Sequence, residues 1–255
     1  MAEKRAVRVS NPIIILGVHR SGTSLLTRML ERLGVFVGKD LEQNHESMTM
    51  MAINTKFLDS KGATWDQPAY ADEEDVKENI VRRLLEKNFS NIWQRFGPMQ
   101  GVWGFKDPRT VCTLPLWLDV FPKAKVLYIR RSPYDIAKSL NTRFKKLQEE
   151  GKIPQAEEYH HGFIKNTHRC VEFDACLALA LEQADAIDRW KRENKLGDCL
   201  ELGYEELLRD PAYQLIRVCK FLSLEPSAEL LRDAADLVRS DARLEPSVVL
   251  PGYLA

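Results

Sequence analysis

The sequence carries no excess of either charge: 37 Lys and Arg face 37 Asp and Glu, for a formal net charge of zero. A protein that grips nucleic acid through its phosphates needs a basic excess. Nucleic acid is therefore not an expected partner, although a zero sum is compatible with local basic patches. Cysteine is scarce. Cys112, Cys170, Cys176, Cys199 and Cys219 form an odd set with no C-x-x-C pair. That argues against a zinc ribbon, a redox dithiol and a disulfide framework. Long apolar runs are missing as well. The run at residues 13–18 is far too short to span a membrane. No small-residue cleavage site follows it, so it does not read as a signal peptide. A reduced, cytoplasmic setting is the expectation. Repeats, low-complexity segments and linkers are also absent. One domain is expected over residues 1–255, with 1–10 as a loose polar start. A composition of 44% hydrophobic and 29% charged residues is enough to build its core.

What is present is an alternation of strand and helix signals. Residues 12–17 are apolar, β-branched and closed by Gly17, as in a strand buried on both faces. Over residues 23–33, Leu25, Leu26, Met29, Leu30 and Leu33 recur at helical spacing before Gly34. Residues 48–58 read as a helix. Residues 73–96 read as one longer helix, with Val76, Ile80, Leu84, Ile92 and Phe96 in an i, i+4 rhythm. Further strands are expected at 101–105, 125–129 and 198–202, and a fifth at 35–37. A long helix ends near Asn194, and two more cover 211–222 and 227–238. Strands alternating with helices imply a mostly parallel sheet covered on both faces.

Two turns carry chemistry. The first, Gly17-Val18-His19-Arg20-Ser21-Gly22-Thr23-Ser24, joins a strand to a helix. Backbone N–H groups at such a helix start point at an anion. Arg20 adds charge, and Ser21, Thr23 and Ser24 add hydroxyls. The spacing is that of a Walker A loop, but Thr23 stands where that loop keeps the lysine for a nucleoside triphosphate. A substituted 5′-phosphate fits better than ATP. The second turn follows the strand at 125–129. Ser132 can cap the next helix and Pro133 suits its first position. Arg131 and Ser139 lie eight residues apart. Side chains lean towards a helix start, so Ser139 could approach Arg131 and clamp a second phosphate.

These two turns resemble the cofactor motifs of the sulfotransferases that use 3′-phosphoadenosine 5′-phosphosulfate, in their bacterial and tyrosylprotein types. Arg20-Ser21-Gly22-Thr23 resembles the 5′-phosphosulfate loop, and Arg131 with Ser139 the 3′-phosphate pair. Lys106-Asp107-Pro108-Arg109 resembles a K-D-P-R element, Tyr204-Glu205-Glu206-Leu207 a Y-E-D-L segment, and Phe221-Leu222 fits the helix beyond it. The R-K-G segment of animal cytosolic members is absent; Arg239 or Arg243 could stand in for it.

The resemblance implies a three-layer α/β/α fold of the P-loop NTPase type. It also implies transfer of a sulfuryl group to an acceptor hydroxyl or amine, leaving adenosine 3′,5′-bisphosphate, with no metal. Arg20, Ser21, Gly22, Thr23, Ser24, Arg131, Ser139 and Tyr204 would bind the nucleotide, with Tyr204 near the adenine. Arg20 and Lys106 would stabilise charge on the leaving group. Glu46, eight residues before Asn54, falls on the pattern of a general base; its neighbour His45 has a naturally suitable pKa. Asp107 and Arg109 are expected to pair or brace the loop. His19 could face the acceptor or fill space. Trp65 and Trp103 read as packing. His160, His161 and His168 match no familiar metal spacing. Residues 59–75 and 148–165 read as loops that shape the choice of acceptor, and 142–150 as an exposed, charged helix end. Carbohydrate, lipid, small phenol, natural product and peptide acceptors all stay open, as does the oligomeric state. A P-loop kinase and a non-catalytic nucleotide-binding protein are the competing readings.

Overall fold

The computed structural model describes residues 9–151 and 168–241. Its sheet consists of β1 (Ile13–Leu16), β2 (Gly104–Lys106), β3 (Lys125–Arg130) and β4 (Asp198–Gly203). The strands lie in the order β2-β1-β3-β4, and every neighbouring pair is parallel. Ile15 sits opposite Lys106 on one side and Leu127 on the other, and Ile129 opposite Leu202. Successive strand side chains point to opposite faces, and both faces are buried. Ile14 and Leu16 join Phe105, Val126 and Tyr128 in one apolar layer. Ile13 and Ile15 join Leu127, Ile129 and Leu202 in the other. This is the three-layer α/β arrangement around a parallel sheet that the alternation of strands and helices predicts.

The first layer is closed by α2 (Met48–Ser60), α4 (Ile80–Phe96), α5 (Thr110–Val120), α6 (Pro133–Glu149) and α7 (Phe173–Arg192). The second is closed by α1 (Thr23–Arg32), α9 (Pro211–Leu222) and α10 (Ala228–Asp241). Among the described residues there are also two short α-helices, α3 (Glu73–Glu78) before α4 and α8 (Tyr204–Arg209) straight after β4. Because all four strands are parallel, their carboxyl ends share one edge. Parallel α/β sheets bind their ligands at that edge.

Three expectations need correction. The helix read over 73–96 is two helices, broken at Asn79 (φ 12, ψ 86). The Asn79 side chain accepts from Arg82 N–H at 3.0 Å and donates to Leu116 O and Asp119 Oδ2 at 2.9 and 2.7 Å. The break shifts the phase, so Val81 and Leu85 are the fully buried residues while Ile80 and Leu84 pack against the core only in part, and a second irregular residue, Asn88, separates them from Ile92 and Phe96. The expected strand at 35–37 is reduced to one bridge, Phe36 to Trp103, between Gly34 and Gly38 at positive φ. β2 begins at Gly104, later than expected, and its register with Ile13 leaves no room for a side chain there. A Cβ on Gly104 would lie 2.5 Å from Ile13 O.

Candidate active site

At the carboxyl edge, the loop after β1 turns tightly into α1. Arg20 (φ 69) and Gly22 (φ 101) both adopt left-handed backbone. Gly22 is the α1 N-cap and offers no side-chain cap, so the helix start keeps its amides for another partner. A Cβ on Gly22 would lie 2.2 Å from the Tyr204 ring, so glycine is required twice over. The Ser21 hydroxyl is buried within the loop with no hydrogen-bond partner.

The second turn docks on the first. Arg131 Nη1 donates to Arg20 O at 2.9 Å, and its guanidinium lies 4.6 Å over the Tyr204 ring. Ser132 accepts from Asp135 N–H and Pro133 opens α6, as expected. Ser139, however, does not turn to Arg131. Its Oγ accepts from Arg20 Nε at 2.9 Å. A hydroxyl that accepts one bond still has its own proton to donate.

The third component is buried. Lys106, the last residue of β2, is 1% exposed. It is thus no surface ammonium. Its Nζ donates to Asn44 O at 2.7 Å and to Glu46 Oε1 at 3.2 Å. Arg109 Nη1 reaches Glu46 Oε2 at 3.5 Å and Asp107 Oδ1 at 2.6 Å, so Asp107 and Arg109 pair with each other. Glu46 is not in a first helical turn. It precedes the α2 cap, Ser47, on a loop closed by Glu42, whose carboxylate accepts from Asn44 N–H and Glu46 N–H. Asp40 secures the same loop through Ser47 Oγ and Thr49 N–H.

Behind the pair lies Asn54, fully buried. Its amide donates to Asp107 Oδ2 at 2.8 Å and Thr110 Oγ1 at 3.1 Å, and accepts from Thr113 Oγ1 at 2.7 Å and Trp117 Nε1 at 2.8 Å. A continuous polar chain therefore runs from Trp117 through Asn54, Asp107 and Arg109 to Glu46 and Lys106. Burial sets the electrostatics. It pushes the Glu46 carboxyl above the usual carboxylate range, and Lys106 opposes that rise. It pulls the Lys106 ammonium down, against the pull of Glu46. A buried ion pair of this kind is weak as a stabilising device. Perturbed groups in a cleft are more typical of chemistry.

All three components open on one cleft of about 1030 Å³. It is lined by Arg20, Gly22, Thr23, Ser24, His45, Glu46, Lys106, Arg131, Ser139 and Tyr204, among others. Of the residues expected at the site, only Ser21 is set back from this wall. His45 lines the cleft with a left-handed backbone, and its Nε2 lies 3.5 Å from Glu31 Oε2 on α1. The structure thus separates the two candidate bases: Glu46 faces Lys106, and His45 faces Glu31. His19 also lines the cleft, its ring 4.5 Å from that of Trp65 and tilted 57° to it, its Nε2 without a partner among the described residues. Burial, then the charges of Arg109, Lys106, Arg143 and Arg20, hold its pKa well below the ordinary value, so this imidazole is neutral.

The cleft wall also includes residues the sequence did not flag: Arg28, Asp135, Lys138, Thr142, Arg143 and Lys146. Seven wall residues are Lys or Arg and two, Glu46 and Asp135, are carboxylic acids. A chain of zero net charge has gathered a positive site. The signal lay in the spacing of 135, 138/139, 142/143 and 146, one face of a helix. Residues 142–150 are indeed the exposed end of α6, but that face looks into the cleft. Conversely, none of residues 59–75 lines the cleft. Trp65 packs between His19 and Phe144, and Trp103 is core. His160, His161, Arg243, most of 148–165, and the side chains of His168 and Arg239 lie outside the described residues. Among the described residues, no three His, Cys, Asp or Glu side chains converge as a metal site. No described helix is long and apolar enough to cross a membrane, and all five cysteines are free thiols.

A family model described as the sulfotransferase family matches residues 12–228. Among solved structures, a sulfotransferase from Alicyclobacillus acidocaldarius is 17% identical, with 91% of this chain and 93% of that one covered and a TM-score of 0.51. A sulfotransferase from Mycobacterium avium is also 17% identical, covering 92% and 69%, with a TM-score of 0.50. At such identities the likeness concerns the fold. No curated protein matches the sequence.

Proposed function

The chain belongs to the sulfotransferase family, and from that premise we propose that it moves a sulfuryl group from 3′-phosphoadenosine 5′-phosphosulfate to an acceptor hydroxyl or amine. The observation that carries the reading is the Arg20 Nε–Ser139 Oγ bond of 2.9 Å. It fastens two separate anion motifs to one cleft, with the buried Lys106–Glu46 pair in the same wall.

The fit of a doubly phosphorylated nucleotide rests on this chain's own polar atoms. Ser21 Oγ and Arg131 Nε are buried with no partner, and the α1 start has no side-chain cap. The donor set at the two turns consists of cations, hydroxyls and amides, which suits anions. When bound, the nucleotide supplies an activated sulfuryl group on a phosphate leaving group.

Arg20, Ser21, Gly22, Thr23 and Ser24 would hold the 5′-phosphate end, with preorganised amides meeting developing charge. Arg131 and Ser139 would hold the 3′-phosphate, with Tyr204 against the adenine and under the Arg131 guanidinium. Lys106 has three N–H donors and spends two on Asn44 O and Glu46. The third is left for the oxygen that becomes the leaving group. Glu46 would take the acceptor proton. Its raised pKa makes it a stronger base than an ordinary carboxylate, and Lys106 and Arg109 fix its two oxygens. His45, drawn to Glu31, is the weaker candidate.

The test is product balance. Labelled phosphosulfate and a panel of phenol, sugar and amine acceptors should yield sulfated product and adenosine 3′,5′-bisphosphate in equal amounts. Lys106→Met should lower kcat by about 10²–10³-fold, as for loss of one transition-state donor. Turnover of ATP with no use of the phosphosulfate would overturn the reading in favour of a kinase.

A further inference from the structure

The positive wall of the cleft is larger than the nucleotide needs. The reading above uses Arg20, Lys106 and Arg131. Arg28 lies one helical turn beyond Ser24, and Lys138 is next to Ser139, so both stay beside the nucleotide motifs. Arg143 and Lys146 do not. Ser139 is pinned to the phosphate loop at 2.9 Å. Arg143 lies about 6 Å and Lys146 about 10 Å further along α6, at 1.5 Å per residue. Both still line the same cleft.

Their surroundings identify the end of the cleft they occupy. The Arg143 charge acts on His19, a residue of the phosphate loop, together with Arg20 of that loop and with Arg109 and Lys106, the cations that hold Glu46. Phe144, the neighbour of Arg143, packs 5.9 Å from Trp65, whose ring is in tilted contact with His19. This end of α6 therefore belongs with His19 and the acid–base pair. Arg143 is exposed and makes no ion pair among the described residues. Lys146 has only a loose, exposed pair with Glu150 at 3.8 Å. Opposite charge in the wall is confined to Glu46, held by two cations, and Asp135, two turns back towards the start of α6. Among the described residues Arg143 has no ion pair and Lys146 only the exposed one with Glu150, so both can meet an acceptor that enters this cleft to present its hydroxyl to Glu46. An anionic acceptor would pair with them, an uncharged one would gain nothing from them, and a cationic one would be repelled.

We infer that the acceptor carries an anionic oxygen group, a carboxylate or a sulfate, which Arg143 and Lys146 bind while its hydroxyl faces Glu46. The inference rests on the sulfotransferase reading of the cleft, and it names the substrate class that reading leaves open.

The test compares three phenols with short para side arms of different charge: 4-hydroxyphenylacetate (anion), 4-ethylphenol (neutral) and tyramine (cation). Their dissociation constants are measured by ligand-observed NMR on protein saturated with adenosine 3′,5′-bisphosphate. On wild type the anion should bind about tenfold tighter than the neutral phenol, the scale of one charge-assisted hydrogen bond. Tyramine should bind weakest. Arg143→Glu should reverse the order of anion and cation, and Lys146→Glu should shift it in the same direction by less. Lys145→Glu, on the same helix but off the cleft wall, should leave the order unchanged. Bisphosphate affinity should stay within about twofold in all three variants, because no nucleotide contact is altered. Equal affinities, undetectable binding of the anion, or an order that Lys145→Glu changes as much as Arg143→Glu would overturn the inference. So would a loss of bisphosphate affinity in Arg143→Glu as large as the loss for the anion, which would assign Arg143 to the nucleotide. If the bisphosphate itself does not bind wild type, the donor reading fails, and the order of the three phenols on the bare protein still decides this inference.

Discussion

Replacing Asn54 by alanine tests the scaffold behind the acid–base pair. The Asn54 amide uses its full hydrogen-bonding capacity: two donated bonds, to Asp107 Oδ2 and Thr110 Oγ1, and two accepted, from Thr113 Oγ1 and Trp117 Nε1. All of these partners are buried. In Asn54→Ala the Thr113 hydroxyl can rotate to a new acceptor, and Thr110 loses only a donor to its oxygen. Trp117 Nε1 can only donate and sits on a packed ring, so it is left unpaired. Asp107 loses one of the two partners of its carboxylate. At about 1–3 kcal/mol for each stranded buried group, and more for a charged one, the expected loss is about 3–5 kcal/mol of unfolding free energy. Urea denaturation followed by tryptophan fluorescence measures it directly.

Asn54→Asp sharpens the test. It keeps both accepted bonds but turns a carboxylate oxygen on Asp107 Oδ2, across a 2.8 Å contact. Only a protonated carboxyl at position 54 can replace the lost N–H. The folded pKa of the introduced group must then rise above its unfolded value. The sign follows: stability is fully present below the unfolded pKa and lost as pH rises through the raised folded pKa. The variant should lie near wild type at about pH 3.5–4, close to the unfolded Asp pKa, and lose about 2–4 kcal/mol relative to it by pH 8. A loss under about 1 kcal/mol in Asn54→Ala, or a pH-independent Asn54→Asp, would refute this reasoning.

Further outcomes follow from the same geometry. If Glu46 is the base, it works only when ionised, and its pKa is raised by burial; kcat/KM should fall as pH drops through a value above the ordinary carboxylate range, and Glu46→Gln should abolish that limb along with most of the rate. Gly22→Ala places a Cβ 2.2 Å from the Tyr204 ring at φ 101, so bisphosphate affinity should fall at least about tenfold and stability by about 1–3 kcal/mol, readable by calorimetry and urea titration. Tyr204→Leu removes the ring beneath the Arg131 guanidinium and should weaken bisphosphate binding about three- to tenfold, whereas Tyr204→Phe should stay within about twofold, because the face and not the hydroxyl holds the cation.

Where the sequence was legible, the determinants are local. β1 and the loop after it are marked by an apolar run and two glycines that only a turn requires, and Ser132-Pro133 announces α6 in two residues. What escaped depends on contacts far along the chain. Nothing within residues 73–96 marks Asn79 as a break, because its partners, Leu116 and Asp119, lie on α5. Ser139 faces Arg20 rather than Arg131, a pairing across 119 residues that no local spacing signals, while Arg131 docks on Tyr204 and Arg20 O. Lys106 reads as a turn lysine until the loop from Asp40 to Ser47 folds over it and supplies Asn44 O and Glu46. The charged end of α6 looked like solvent-facing surface, and it is exposed; only the cleft beneath it gives its cations a direction.

The central claim is that the cleft takes a nucleotide with phosphates at both the 5′ and 3′ positions. Calorimetric titration of adenosine 3′,5′-bisphosphate against ATP with magnesium, on wild type and on Arg131→Ala, tests it most directly. The expected result is binding of the bisphosphate without metal, tighter than ATP, and weakened about 10–100-fold in Arg131→Ala, the range for losing a charge-assisted contact to phosphate. Tighter binding of ATP with magnesium, or a bisphosphate affinity indifferent to the loss of Arg131, would contradict it.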